Sequence, residues 1–253
     1  LEFRRVLFRS LHCRYWCLNM SYKNKLLPLL SGFAFLLVLF AFIRMLFFTP
    51  VEQTMGLVQK VFYFHMSAAW VGMLAFLASA VFGLLYLSRK DLKWDTLTAA
   101  SVEVGLLFTV ICIISGMIWA RPIWNTWWTW DPRLTTVTIM AFTYIAFMLL
   151  RRGVDNPIRR ARFSAIYAIV GFLSVPLTFF SARLLRTIHP VVFGGGETDM
   201  NLNPQMLVTL FISLGAFTVL YVALLLHRAR LMAQQEELNQ LQAAADGSYD
   251  WGA

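Results

Sequence analysis

The stretch LLPLLSGFAFLLVLFAFIRMLFF, Leu26–Phe48, decides the fold class of this chain. Its 23 residues include a single charged side chain, Arg44. A helix needs about 20 mostly apolar residues to cross a hydrocarbon core roughly 30 Å thick. Because backbone in lipid must satisfy its hydrogen bonds internally, we predict that this stretch is a membrane-spanning helix.

Comparable apolar runs recur along the chain. They lie near Phe62–Leu87, Ala99–Trp119, Leu134–Leu150, Phe163–Phe180 and Leu207–Leu226. Of the 253 residues, 59% are hydrophobic and 14% charged, whereas soluble domains have about 45–50% apolar and about 25% charged residues. We predict an all-α polytopic membrane protein with six transmembrane helices.

Lysine and arginine are divided unequally between the two sides that these spans define. One side has twelve: Lys23, Lys25, Arg89, Lys90, Lys93, Arg151, Arg152, Arg159, Arg160, Arg162, Arg228 and Arg230. The other side has five: Lys60, Arg121, Arg133, Arg183 and Arg186. Basic residues accumulate in cytoplasmic loops, so both termini should be cytoplasmic, and the connections 49–61, 120–133 and 181–206 should face outward. Most of the net charge of +9 thus follows from topology, without a nucleic-acid partner.

The two ends of the chain differ from the six-span region, residues 20–230. Residues 1–19 begin without methionine and do not continue the pattern that follows, so we interpret them as a non-native or disordered leader before Met20. Residues 231–253 begin with good helix formers and should form a cytoplasmic tail that extends the last helix.

The segment RPIWNTWWTWDPRLT, residues 121–135, holds four of the nine tryptophans. On a helix, Trp124, Trp127, Trp128 and Asp131 would share one face, while Trp130 would point elsewhere. Indoles on one face form a flat apolar platform for a planar ligand. The alternative is the aromatic belt that many membrane proteins place at the interface.

Proline ends this segment. Pro132 disfavours helical geometry at Asp131 and favours a new helix that begins with Pro132 after an Asp131 N-cap. Capping alone would also explain the aspartate, so a ligand-binding role for Asp131 is left open.

Two histidines should reach the level of these tryptophans. His65 lies about 5 Å inside the outer end of the second span. His189 lies in the third outer connection, before Pro190 and Gly194–Gly196, glycines that should allow this connection to fold over. A single interfacial histidine needs no function. Two imidazoles beside an indole surface, however, meet the requirement for holding haem by both axial positions, whereas zinc usually needs a third protein ligand.

Double histidine ligation would leave the haem iron no position for oxygen, which favours carrying over catalysis. The propionates of haem need cations. The outer basic residues available are Lys60, Arg121, Arg133, Arg183 and Arg186.

Three motifs together resemble a known family. They are QKVFYFHMSAAW around His65, WNTWWTWD followed by RLT, and RTIHP around His189. These resemble the haem exporter protein C family (CcmC) of system I cytochrome c maturation, part of a wider group of haem-handling proteins with a tryptophan-rich WWD motif. The resemblance covers Met20 to about Arg230 on a matching six-span layout.

The resemblance implies a bacterial inner-membrane protein that binds haem b and transfers it, rather than an enzyme, although it could assist covalent attachment of the haem to its partner. The implied site residues are His65 and His189 as axial iron ligands; Trp124, Trp127, Trp128, Trp130 and Asp131 as the platform; and Lys60 and Arg133 near the propionates. The implied partners are a periplasmic haem chaperone (CcmE-like), ABC transporter subunits (CcmA- and CcmB-like), a small single-span subunit (CcmD-like) and membrane lipid.

Three alternatives remain open. A system II haem-transfer subunit shares the tryptophan motif but has more spans and an additional intramembrane histidine pair. A b-type electron carrier would bury its histidines within the helix bundle. A transporter would place its site near the bilayer midplane with broken helices, for which Pro176 in the fifth span is weak support.

Overall fold

The computed structural model describes residues 26–190 and 202–245, and within these ranges the chain is helical and contains no strand. The helices are α1 Leu26–Ile43, continued by a π-helical turn Arg44–Phe48; α2 Val61–Arg89, preceded by a 3-10 turn Leu57–Lys60; α3 Leu92–Trp124; α4 Pro132–Arg152; α5 Pro157–Gly171; α6 Ser174–Leu184; and α7 Pro204–Ala245. Six helical stretches are long and apolar enough to cross a membrane. The prediction of an all-α, six-span membrane protein is confirmed, whereas the predicted leader and Gly194–Gly196 lie outside the described residues.

Five of the six spans are longer than the apolar runs that predicted them, and one span is broken. α3 begins at Leu92 rather than near Ala99, because the side chain of Asp91 caps it by accepting from the Lys93 N–H at 3.0 Å. The fifth span divides into α5 and α6 at residues 172–173, one helical turn before Pro176. Pro176 has no N–H to bond the carbonyl four residues earlier, which accounts for the break.

The bundle is built around a hairpin of α2 and α3. α7 packs along both helices with α1 on its outer side, while α4, α5 and α6 pack on the opposite flank. Small residues allow this close approach: a Cβ added to Gly105 would lie 2.7 Å from Cε1 of Phe76, and one added to Gly72 would lie 2.9 Å from Oγ1 of Thr109. Because lipid removes the hydrophobic drive for helix association, such close packing has to stabilise the bundle.

The two ends of the bundle differ in character. At one end, Arg151 of α4 donates to Asp95 of α3 at 2.5 and 3.0 Å and to Ser164 of α5 at 2.7 Å, so one guanidinium joins three helices. The other end carries His65, Trp124 and His189, and is called the histidine end below. Ionic contacts therefore join the helices at one end of the bundle, and the candidate site residues lie at the other end.

Candidate functional site

A cavity of about 570 Å³ lies at the histidine end. Its walls come from α2, α3, α4, α6 and α7, from residues 126–129 of the α3–α4 connection and from residues 188–190 after α6, and they are mostly apolar or aromatic. Both His65 and His189 line it. A largely apolar chamber of this size with few polar groups has the character of a small-molecule or cofactor site.

Two tryptophan rings connect the two histidines along one wall. Ring centroids are 5.9 Å apart for His65 and Trp119, 6.1 Å for Trp119 and Trp124, and 5.6 Å for Trp124 and His189. The indole N–H of Trp119 is buried without a hydrogen-bond partner in the described part of the chain. Sequence analysis missed Trp119, because nothing distinguishes it from an ordinary apolar residue of the third span.

His65 is held in one tautomer. Its Nδ1 lies 3.1 Å from the Cys112 carbonyl oxygen and 3.2 Å from Oγ of Ser115. A carbonyl can only accept, so Nδ1 carries the proton and the Nε2 lone pair is left free. This is the arrangement of a metal-binding histidine whose other ring nitrogen is fixed by an outer partner.

Gly116 makes room for the His65 ring, because a Cβ at this position would lie 2.9 Å from Cε1 of His65. We expect Gly116→Ala to push the imidazole off its position and to weaken ligand retention roughly tenfold, the lower end of the effect of disturbing an outer partner of a ligand. The helix itself should gain from alanine. The measurement is ligand content per folded protein.

Gly215 is the matched control for this substitution. It lines the same cavity, yet a Cβ built on it meets no atom of the described residues within 4 Å. Gly215→Ala should therefore retain ligand like the parent protein, and equal behaviour of the two alanine variants would contradict the role given to Gly116.

His189 has a charged partner instead. Its Nδ1 lies 3.3 Å from Oδ2 of Asp131, so Nδ1 donates to the carboxylate and the lone pair of the ring lies on Nε2. Burial lowers the pKa of His189, although the Asp131 carboxylate opposes that shift. Burial would raise the pKa of Asp131, but hydrogen bonds from Thr187 and the Leu134 N–H, together with His189, hold it below its usual value. Both shifts favour a neutral imidazole beside a carboxylate, the form that binds a metal.

The tryptophan segment does not form the predicted helix. The prediction that its side chains share one helical face is therefore wrong. α3 ends at Trp124, since Asn125 adopts a left-handed conformation (φ 53°) and its carbonyl accepts from Arg121 at 2.6 Å. The segment then continues as a non-helical loop, residues 125–131, called the indole loop below.

Three of the four tryptophans of the segment nevertheless reach the cavity. Trp124, Trp127 and Trp128 all line the cavity. Trp130 does not, and is 72% exposed while its ring packs edge-on against Trp128 at 5.6 Å. The predicted start of α4 is confirmed, because Asp131 accepts from the Leu134 N–H at 2.9 Å.

Comparison with known proteins identifies the family of the chain. A family model, Heme exporter protein C, matches residues 15–244. The chain belongs to this family. Among its relatives, Heme exporter protein C of Bradyrhizobium diazoefficiens is 32% identical over 196 residues, 76% of this chain and 73% of that protein. The protein of the same name from Rhodobacter capsulatus is 29% identical over 224 residues (88% and 93%), and that from Escherichia coli is 30% identical over 186 residues (72% and 74%).

Membership of the Heme exporter protein C family makes haem the group to test against the cavity. The residues fit it: two imidazoles carry their lone pairs on Nε2, indoles provide flat walls, and the buried Trp119 N–H lacks a partner among the described residues. Haem needs axial donors, planar apolar contacts and polar groups for its propionates. All three requirements have counterparts among the residues that line the cavity.

The basic residues divide into those at the cavity and those outside it. Arg133 lines the cavity and donates to the carbonyls of Thr178 and Phe179 at 3.2 and 3.1 Å. Arg183, which the resemblance did not single out, also lines it, with Cζ 4.8 Å from the Phe179 ring centroid. Lys60 is not among the lining residues, and its Nζ donates to the Leu46 carbonyl. A role for Lys60 at a propionate therefore stays a prediction.

Proposed function

We propose that this protein holds one haem b between Nε2 of His65 and Nε2 of His189 and transfers it to a periplasmic haem chaperone for cytochrome c maturation. The single observation that carries the proposal is that both histidines line one cavity with Nδ1 already engaged. Bound haem would supply an iron with two axial positions for these nitrogens. The match to Heme exporter protein C along most of the chain favours this function over the system II alternative.

The location follows from the distribution of charge. The end with the Asp95–Arg151 pair belongs to the lysine- and arginine-rich side of the sequence, which basic residues assign to the cytoplasm. The histidine end is then periplasmic, in a bacterial inner membrane. A chaperone in the periplasm can approach the cavity there without crossing lipid.

The two histidines lie in different kinds of secondary structure. His65 lies within α2, whereas His189 lies in a non-helical segment after α6. Release of haem requires at least one axial bond to break, and a side chain on a loop can withdraw at lower cost than one fixed in a packed helix. His189 is thus the ligand that leaves first when the chaperone takes the haem.

The exposed tryptophans provide the contact for that chaperone. Trp127, which lines the cavity, and Trp130, three residues further along the indole loop, are 53% and 72% exposed, and exposed aromatic side chains are enriched where proteins bind partners. The family resemblance supplies the other partners of the proposal: ABC transporter subunits (CcmA- and CcmB-like) and a single-span CcmD-like subunit. They would drive release of the loaded chaperone.

The test is transfer from the haem-loaded protein to a purified full-length apo-chaperone, followed by absorption and by haem staining of the chaperone. We expect Trp127→Ala with Trp130→Ala to slow transfer about tenfold, because hot-spot aromatics contribute 1 kcal/mol or more each. Because Trp127 also lines the cavity, haem bound before mixing is measured for each variant, and transfer is expressed per bound haem. Phe33→Ala with Phe35→Ala on α1, which are 54% and 66% exposed, is the matched control.

The outcomes separate the candidate functions. Transfer from the parent protein with slower transfer from the tryptophan variant supports the proposal. A parent protein that keeps its low-spin haem in the presence of the chaperone, and exchanges electrons instead, would favour a b-type electron carrier. Equal slowing by the α1 control would show that the indole loop has no special part in docking.

A further inference from the structure

Thr187 occupies a central position between the two loops of the site. Its hydroxyl oxygen accepts from the backbone N–H of His189 at 3.1 Å and donates to Oδ2 of Asp131. Asp131 is the last residue of the indole loop, and His189 belongs to the segment that follows α6. One hydroxyl therefore joins a proposed iron ligand to the loop that carries the tryptophans.

The hydrogen bonds around Asp131 account for both of its carboxylate oxygens. Oδ1 accepts from the Leu134 N–H and caps α4, while Oδ2 accepts from Thr187 and from Nδ1 of His189. Because the Thr187 hydroxyl has only one proton and gives it to Asp131, its oxygen is left to accept from the His189 backbone. The donors and acceptors are thus matched in one arrangement, which orients the His189 ring with Nε2 unprotonated.

We propose that Thr187 is a positioning residue for haem ligation: it fixes Asp131 against His189 and makes that carboxylate the common anchor of the indole loop and the His189 segment. The inference rests on the proposed function, since it assigns how one ligand is held. Thr187 acts through Asp131 and His189 and need not touch the haem. Movement of the indole loop when a partner docks is then transmitted directly to His189.

The inference also makes the two axial ligands unequal. His65 donates through Nδ1 to neutral acceptors, a carbonyl and a hydroxyl, whereas His189 donates to a carboxylate. A carboxylate partner raises the basicity of a ligating imidazole more than a neutral acceptor does. His189 is therefore the stronger donor as long as Thr187 holds Asp131 in place. Loss of that hold should weaken binding and raise the reduction potential of the haem.

The experiment compares Thr187→Val, which keeps the shape and removes both hydrogen bonds, with Thr187→Ser, which keeps the hydroxyl. Haem affinity and midpoint potential are measured on the full-length purified protein. Thr187→Val should lower affinity about tenfold and shift the potential upward, whereas Thr187→Ser should restore both to near the parent values. Thr143→Val on α4, where the hydroxyl only bonds the Ile139 carbonyl, is the matched control and should change neither.

A second variant keeps the inference testable if Thr187→Val fails to fold. Asp131→Asn retains an oxygen to cap α4, since asparagine is a good N-cap, but removes the carboxylate from His189. It should change affinity and potential in the same direction as Thr187→Val, and the two changes together should do little more than either alone, because they break one network.

Three results would overturn the inference: parent-like potential in Thr187→Val, failure of serine to restore it, or additive effects of the two variants. The failure of the proposed function looks different, because it would appear as low-spin haem that survives loss of His65 and His189 themselves. Parent-like behaviour of Thr187→Val beside histidine variants that lose haem would discard the positioning role and leave the haem function standing.

Discussion

Purified protein that carries both His65→Ala and His189→Ala is expected to show no low-spin haem. Each imidazole has its Nδ1 engaged, which leaves the lone pair on Nε2, and both line one cavity, so their removal deletes the two donors that the iron requires for a low-spin state. Each single variant should retain about one tenth of the haem or less, with an altered spectrum, because one axial bond remains. Absorption spectra of oxidised and reduced protein, with haem content per chain, measure the effect.

His227→Ala is the matched control for the loss of an imidazole. Nε2 of His227 lies 2.8 Å from Oγ of Ser31, and the residue lies in α7 outside the cavity. It should bind haem like the parent. Added imidazole should restore the low-spin spectrum of each single variant, since it can occupy the position that the lost side chain leaves. A double variant that kept the spectrum would remove the basis for the site.

The fold was predictable because its main determinant is local. In lipid, a run such as Leu26–Phe48 has to satisfy its backbone hydrogen bonds within itself, without help from distant residues. Such runs predicted all six spans. Their ends were less predictable. The start of α3 depends on capping by Asp91, and the break between α5 and α6 depends on the register of Pro176 against the preceding turn. Polarity counted over a window does not resolve such contacts.

The site was predictable only in its residue types. Histidine and tryptophan at one level indicated a planar metal-bearing ligand, and the structure brings His65, His189 and three of the tryptophans to one cavity. The conformation of the tryptophan segment was not predictable, because Asn125 adopts a left-handed conformation that ends the assumed helix.

The supporting residues of the site were missed altogether. Trp119, Gly116 and Thr187 acquire their roles from neighbours far away in the chain: Gly116 from His65, and Thr187 from Asp131. A spacing pattern in one segment holds no information on such contacts. Only the packing of α2 against α3, and of the indole loop against the segment after α6, reveals them.

Arg151→Ala should be the most destabilising of the substitutions considered. The guanidinium is 15% exposed and its Asp95 partner 7%, and it also donates to Ser164. Removing one partner of a buried pair leaves an uncompensated charge, at a cost of about 3–5 kcal/mol. We expect the midpoint of thermal unfolding in detergent to fall by on the order of 10 °C.

Two variants test whether burial of the Asp95–Arg151 pair is the reason for this loss of stability. Lys93→Ala breaks the pair of Lys93 with Asp91, whose side chains are 26% and 28% exposed, and should cost less than about 1 kcal/mol. Asp95→Leu together with Arg151→Leu removes both charges and should recover much of the stability that Arg151→Ala loses. If the double variant were no more stable than Arg151→Ala, the loss would have to come from packing rather than from an unpaired charge.

Arg151→Ala also separates an effect on stability from an effect on haem binding. Arg151 lies 18 residues after Arg133 on α4, or roughly 27 Å along the helix axis, so the charge it leaves behind cannot act directly on the cavity. Protein that remains folded should bind haem with unchanged affinity and spectrum, although its yield falls. A change in the haem spectrum of folded Arg151→Ala would instead mean that the two ends of the bundle are coupled, and that α4 transmits disturbances from the ionic end to the site.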